Sequence, residues 1–196
     1  MTEHKKASLR DRKKAKTRAA IQHHALALFE QQGYANTTVE QIAEASEISP
    51  STFFRYFPTK ESVVLDDDYD PILIKAFQAQ SKELTPIQAF RGAVNEGMSY
   101  IPEEGKEALQ ERMKLIMSVP ELRAATLIHA SGTAKLIAKL ISERLGCDEN
   151  DLAVTTLAGS IIGALFSVAY YCIQHPNVNV VDAIDQALAQ LESGFK

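Results

Sequence analysis

Ser49, Ser51, Thr52 and Arg55 bring three hydroxyls and a guanidinium into seven consecutive positions of the stretch TVEQIAEASEISPSTFFRYFPTK, Thr38 to Lys60. These are groups that read base edges. A hydroxyl gives or takes a hydrogen bond, a threonine methyl meets the methyl of thymine, and an arginine fork takes both acceptors of guanine. Thr38, Tyr56 and Lys60 border them, and Lys16 and Arg18 lie upstream. As donors and cations these five fit phosphate oxygens, which fix register without reading sequence. Helix N-termini add N–H donors to the same backbone. The chemistry is recognition of double-stranded DNA.

Competing chemistries lack their spacing. The chain has no GxxxxGK loop for phosphates, no GxSxG elbow, no HExxH pair and no dinucleotide fingerprint. It therefore reads as a non-enzyme without a cofactor. Asp66, Asp67, Asp68 and Asp70 lack calcium-loop spacing and read as a solvated face. His23 and His24 are adjacent rather than a helical turn apart, so no metal is expected. His175, at a helix end, complements the helix dipole. Cys147 and Cys172 have no CxxC partner and are too few for a disulfide framework, as in a cytoplasmic protein with reduced thiols.

The elements that must position these side chains are helices, because apolar residues recur at helical spacing nearly throughout. A first helix is predicted over 11–32, with Ile21, Ala25, Leu28 and Phe29 on one stripe and Gly33 ending it. Thr38 caps a second helix, and Gln41 completes a capping box. Val39, Ile42 and Ala43 form its inner face. Ser46 to Ile48 make a tight turn, with Ile48 as its plug. Ser49 then caps a third helix, Pro50 takes its first position, and Phe53 faces inward. Two short helices across such a turn make a helix-turn-helix, whose second helix lies in the major groove. Pro58 closes the unit, and Thr59 with Ser62 caps a fourth helix, interrupted at Asp70-Pro71. Further helices are predicted at 72–82, 86–100, 103–118, 120–145, 150–174 and 180–194, punctuated by Pro86, Pro102, Pro120, Gly146 and Pro176. The fold class is all-α.

Charge separates the chain into two parts. Of 196 residues, 1–60 hold ten Lys/Arg against six Asp/Glu, and 61–196 hold eleven against nineteen. A basic end on an acidic body calls for a polyanionic partner at one end. The expected organisation is a basic flexible leader at 1–10, the helix-turn-helix domain at 11–60 and a helical body at 61–196. Leu152 to Ile173 carries no charge and is long enough to span a bilayer. Thr155, Thr156, Ser160, Ser167, Tyr170 and Tyr171 dilute it and no basic cluster flanks it, so it reads as a buried helix. No signal peptide and no membrane association are expected.

The run RAAIQHHALALFEQQGYANTTVEQIAEASEISPSTFFRYFPTKESVV resembles the DNA-binding domain of the TetR family of transcriptional repressors. The likeness covers 14–64 and rests on Gly33-Tyr34, Thr37-Thr38, Ile42-Ala43, Ser49, Thr52-Phe53, Tyr56-Phe57 and Lys60-Glu61. A looser likeness, to the branch related to mycofactocin regulators, is carried by DDYDP, PIQAFRGAV and ERMKLIMSVPELRA. That branch's C-terminal domain is described as binding acyl-CoA-like ligands. Two residues depart from the pattern. Glu47 stands where the family often has a turn glycine, which implies strain. Phe54 stands where tyrosine is frequent, which removes a phosphate hydrogen bond.

The resemblance implies a homodimer that binds a palindromic operator and releases it when a small hydrophobic or acyl-CoA-like inducer enters the body. It makes 61–196 a ligand-binding and dimerisation domain, joined to the reading head by the helix from Thr59. Phe77, Phe90, Tyr100, Met113, Met117, Phe166 and Tyr170 could line the pocket, or simply pack the core. Asn95, Arg112 and His129 are the polar choices for a ligand head group, or ordinary surface residues. Gly159 and Gly163 offer a small-residue face for dimerisation. Val181, Ile184, Leu188 and Leu191 form a stripe that fits either a dimer interface or packing within one chain. The alternative function is a helical acyl-thioester or lipid carrier that does not read DNA.

Overall fold

In a computed structural model, residues 8–66, 70–101 and 103–194 are described, and they form helices joined by turns and loops without a strand. The elements are α1 (Leu9–Gln32), α2 (Val39–Ala45), α3 (Pro50–Tyr56), α4 (Ser62–Leu65), α5 (Asp70–Ala79), α6 (Pro86–Ser99), α7 (Glu103–Ser118), α8 (Pro120–Leu145), α9 (Leu152–Gln174) and α10 (Val180–Ser193). The all-α expectation holds. The leader residues 1–7, Asp67 to Tyr69 in the acidic run, and the predicted break at Pro102 lie outside the described residues. The chain divides into two compact units, the first ending at Asp66.

The first unit packs α2 and α4 on α1, and α3 on α2. Its core is Ile21, Ala25 and Phe29 of α1, Ile42 and Ala43 of α2, Phe53 and Phe57 around α3, and Val63 and Val64 of α4. The caps fall where the sequence places them. Thr38 Oγ1 accepts from the Gln41 N–H while Gln41 Oε1 accepts from the Thr38 N–H. Ser49 Oγ accepts from the Thr52 N–H, with Pro50 at the first helical position. Thr59 and Ser62 cap each other reciprocally. Glu47 has φ 55°, the one non-glycine residue at positive φ among those described. Its Cβ crowds a carbonyl there at a cost of about 1 kcal/mol, which is the strain expected for a residue in a glycine position. Ile48 is only half-buried.

The predicted fourth helix is shorter than expected. It ends at Leu65, and α5 begins at Asp70 with Pro71 in its first turn. Proline needs no N–H in a first turn, so Asp70-Pro71 starts a helix instead of interrupting one.

The second unit is built on α8, α9 and α10, with α6 against α10, α5 against α6 and α7 along α8. One cluster joins Ile87, Ile137, Ile141, Val154, Ile161 and Leu188; another joins Phe77, Ala89, Ala93 and Leu140. Polar clamps close its edges. Arg91 makes a bidentate pair with Asp185 at 2.8 Å for both bonds, fixing α6 to α10. Arg144 donates to the backbone carbonyls of Gln80, Ser81 and Leu84. Gly146, at φ 69°, ends α8 in the left-handed conformation that glycine adopts without strain.

α9 corrects one expectation. It is long and apolar enough to cross a membrane, yet only 28% of its apolar stretch is buried within the chain. One face packs on α8 and α10. Leu152, Gly159, Gly163, Tyr170 and Tyr171 face outward, so among the described residues much of its apolarity on that side is left exposed.

Candidate nucleic-acid interface

A helix of 3.6 residues per turn brings positions three and four apart to one face. On α3 that rule puts Ser51, Phe54 and Arg55 together, opposite the buried Phe53, and all three are exposed. Ser49, the cap, also shares hydrogen bonds with the hydroxyls of Ser51 at 2.9 Å and Thr52 at 3.0 Å. The three hydroxyls therefore form one tethered group at the start of the helix. Thr52 is half-buried at the edge of this face. Arg55 lies with its guanidinium carbon 5.6 Å from the centroid of the half-exposed Tyr56 ring. Lys16 and Thr38 are exposed, and so are Arg12, Lys13 and Lys14 on α1.

Two of the expected phosphate contacts have other partners. Lys60 Nζ donates to the carbonyls of Tyr34 at 2.9 Å and Thr37 at 3.0 Å, and lies 4.0 Å from the Tyr34 ring centroid. Arg18 donates to the Tyr56 carbonyl at 3.1 Å, pairs with Asp66 at 3.6 Å and lies 4.2 Å from the Phe57 ring centroid. A cation already desolvated against a ring and bonded to carbonyls holds the fold together. These contacts tie Lys60 to the α1–α2 loop and Arg18 to the end of α3. A basic residue near a reading helix has the same signature in sequence whichever way it points.

Tyr34 completes this clamp by donating from its hydroxyl to Glu61 Oε1 at 2.9 Å. Burial alone would raise the Glu61 carboxyl. Its own backbone N–H, the Tyr34 and Thr59 side chains and the Lys60 charge outweigh that and hold it below the usual carboxylate value.

The second unit contains an apolar cavity of about 250 Å³. Its wall comes from Ile72 and Leu73 of α5, Phe90, Val94, Gly97 and Met98 of α6, Ile101, Leu109, Arg112 and Met113 on and before α7, Leu165, Val168 and Ala169 of α9, and Val180 and Ile184 of α10. A Cβ at Gly97 would stand 2.8 Å from Leu73 Cδ2, so the Leu73 side chain would have to shift in that wall.

Of the residues predicted for a pocket, Phe90, Arg112 and Met113 meet at this cavity, and Arg112 is the one charged residue of its lining among the described residues. The others lie elsewhere. Phe77 is buried in the core beneath Arg144. Asn95 donates to Asp185 at 3.4 Å on the surface. Tyr100, His129 and Tyr170 are exposed, while Met117 and Phe166 are half-buried away from the lining. The face Phe90, Val94, Gly97 and Ile101 repeats at helical spacing, and that signal could have found the wall. Large aromatic residues taken singly do not carry it.

The α10 stripe packs inside the chain. Leu188 is fully buried among Ile87, Ile141 and Ile161, with Ile184 and Leu191 against the same cluster. At Leu188 the packing lies within the chain's own core, while Ile184 and Leu191 stay half-buried at its margin. Val181 is half-buried. Gly159 and Gly163 behave differently, since a Cβ on either would meet nothing. Among the described residues no cluster of three potential metal ligands occurs. Cys147 is exposed, and burial raises the thiol of the half-buried Cys172.

Residues 21–66 match the family described as bacterial regulatory proteins, tetR family, and residues 84–196 match the MftR C-terminal domain. The HTH-type transcriptional regulator TcmR of Streptomyces glaucescens is 35% identical over 150 residues, 73% of this chain and 66% of TcmR. MftR of Mycobacterium tuberculosis, named for the regulation of mycofactocin biosynthesis, is 25% identical over 187 residues, 91% of this chain and 92% of MftR. In three dimensions the chain resembles Thermus thermophilus FadR, a TetR-family transcriptional repressor crystallised with lauroyl-CoA. The TM-score is 0.58 and the identity 23%, covering 91% of this chain and 95% of FadR.

Proposed function

This chain belongs to the TetR family of bacterial transcriptional regulators, with an MftR-type C-terminal domain, and from that premise we propose that it is a homodimeric, cytoplasmic repressor that binds a palindromic operator and leaves it when a small hydrophobic or acyl-CoA-like molecule enters its body. The observation that carries this reading is the face of α3, where Ser51 and Arg55 stand exposed on a helix capped by Ser49 and anchored by Phe53. Arg55 reads guanine, Ser51 and Thr52 read neighbouring bases, Ser49 holds their hydroxyls, and Lys16, Thr38 and Tyr56 contact phosphates. Arg18 and Lys60 position the helix.

The dimer uses the outer face of α9, where Gly159 and Gly163 let a second helix approach closely. A two-fold axis then matches an operator whose half-sites lie about 34–36 Å apart along one side of the duplex. The cavity supplies the switch. Its apolar wall accepts a hydrocarbon or acyl chain, and Arg112 meets the charged end. Ligand weakens DNA binding only if it favours a dimer whose reading heads no longer fit successive grooves. Tenfold release needs about 1.4 kcal/mol of differential affinity. α5 starts at Asp70, four positions after the reading-head unit ends at Asp66, and contributes Ile72 and Leu73 to the cavity. The connection between ligand and reading head is therefore short in sequence.

Selection from a random duplex pool with the purified full-length protein tests the reading. A palindromic winner bound by two chains, and released by lauroyl-CoA, supports it. No enrichment above non-specific binding, with acyl-CoA still bound, would put the carrier function in its place.

A further inference from the structure

Phe54 is 52% exposed on the outward face of α3. Apart from Leu9, where α1 begins, it is the one large apolar side chain so exposed among the described residues of the first unit. Its ring meets that of the buried Phe53 edge-on, with centroids 5.5 Å apart. That contact holds one edge of Phe54 against the core and turns the rest of the ring outward. Ser51, one turn earlier, and Arg55, the next residue, share its face. A rigid apolar surface thus stands among the hydrogen-bonding groups that the proposed function directs at base edges.

The major groove offers one apolar feature, the C5-methyl of thymine, and a phenyl ring meets it without leaving any polar atom unsatisfied. We infer that Phe54 is a specificity-determining residue that packs on a thymine methyl in each half-site, next to the base pair read by Arg55. This inference rests on the proposed DNA-reading function. Phenylalanine has no hydroxyl to give a phosphate, so its contribution is base preference and not general affinity. Burying one methyl is equivalent to about a fourfold gain in affinity.

The test begins with the duplex that the full-length protein selects from a random pool. Each thymine in it is replaced in turn by deoxyuridine, which removes the methyl and leaves every hydrogen-bonding group in place. One thymine per half-site is expected to lose about fourfold in affinity. The loss should vanish in Phe54→Ala and persist in Phe54→Leu, which keeps an apolar surface. Binding indifferent to every methyl, or the same methyl dependence in Phe54→Ala as in the parent, overturns the inference. So does a Phe54→Ala protein that weakens all duplexes equally, because the ring then packs on the sugar-phosphate backbone. If no duplex is enriched at all, the DNA-reading function itself fails. Enrichment without methyl dependence removes only the role of Phe54.

Discussion

Lys60 places its ammonium 4.0 Å from the centroid of the Tyr34 ring and 2.9 Å from that residue's own carbonyl oxygen. The same nitrogen reaches the Thr37 carbonyl, so a residue just beyond the reading helix closes the loop between α1 and α2. Replacing Lys60 by Ala removes two charge-assisted hydrogen bonds and a cation–π contact, at a cost of about 2 kcal/mol. Thermal unfolding should show the loss as a lower Tm. The salt dependence of DNA binding should keep its slope. A slope flatter by about one unit would mean that Lys60 contacts a phosphate instead.

Glu47 occupies a left-handed turn that glycine adopts freely. Glu47→Gly should stabilise the protein by up to about 1 kcal/mol, the released strain being partly offset by the greater freedom of the unfolded chain. Glu47→Val, β-branched at positive φ, should destabilise it. Denaturant unfolding of both variants checks the order; a more stable valine variant would contradict the strain.

The glycines of α9 and the leucine of α10 should behave oppositely. Gly163→Arg adds a side chain to open space on α9, so the fold should survive while the dimer dissociates in sedimentation. Leu188→Ala empties a fully buried site and should cost about 2–5 kcal/mol. An intact Gly163→Arg dimer would exclude this face as the interface.

Most of the fold was legible because its signals are local. Thr38 with Gln41, Ser49 with Pro50 and Gly146 fix helix ends through bonds to their own neighbours, and each lies where the sequence puts it. The reading helix was legible for the same reason, since Phe53 and the polar positions around it follow from helical period. What the sequence did not show depends on contacts distant along it, such as the rings of Tyr34 and Phe57 against Lys60 and Arg18. Tyr100 and His129 look like pocket residues until their faces turn outward, whereas Leu73 and Val94, ordinary apolar residues in sequence, form the wall. Periodicity reports that a side chain is buried, but not whether a cavity lies beside it.

Acid should weaken the second unit through Asp185. The Arg91 hydrogen bonds, assisted by Arg91's charge and by Asn95, hold this carboxyl below its usual value against the opposing effect of burial. A carboxyl lower in the folded than in the unfolded chain contributes stability above its unfolded value of about 3.9 and loses it as pH falls through the folded value. Glu61 acts in the same direction in the first unit. Asp185→Asn should therefore lower stability near neutral pH and flatten its decline in acid. An unchanged acid limb would show that the Arg91 pair contributes nothing to it.

Arg55→Ala, assayed on the selected duplex and its single-base variants, tests the central claim most directly. The account predicts a loss of about 1–3 kcal/mol per half-site and relaxed preference at the guanine read by Arg55, with folding unchanged. Affinity and base preference both equal to those of the parent protein would show that the exposed face of α3 does not read DNA.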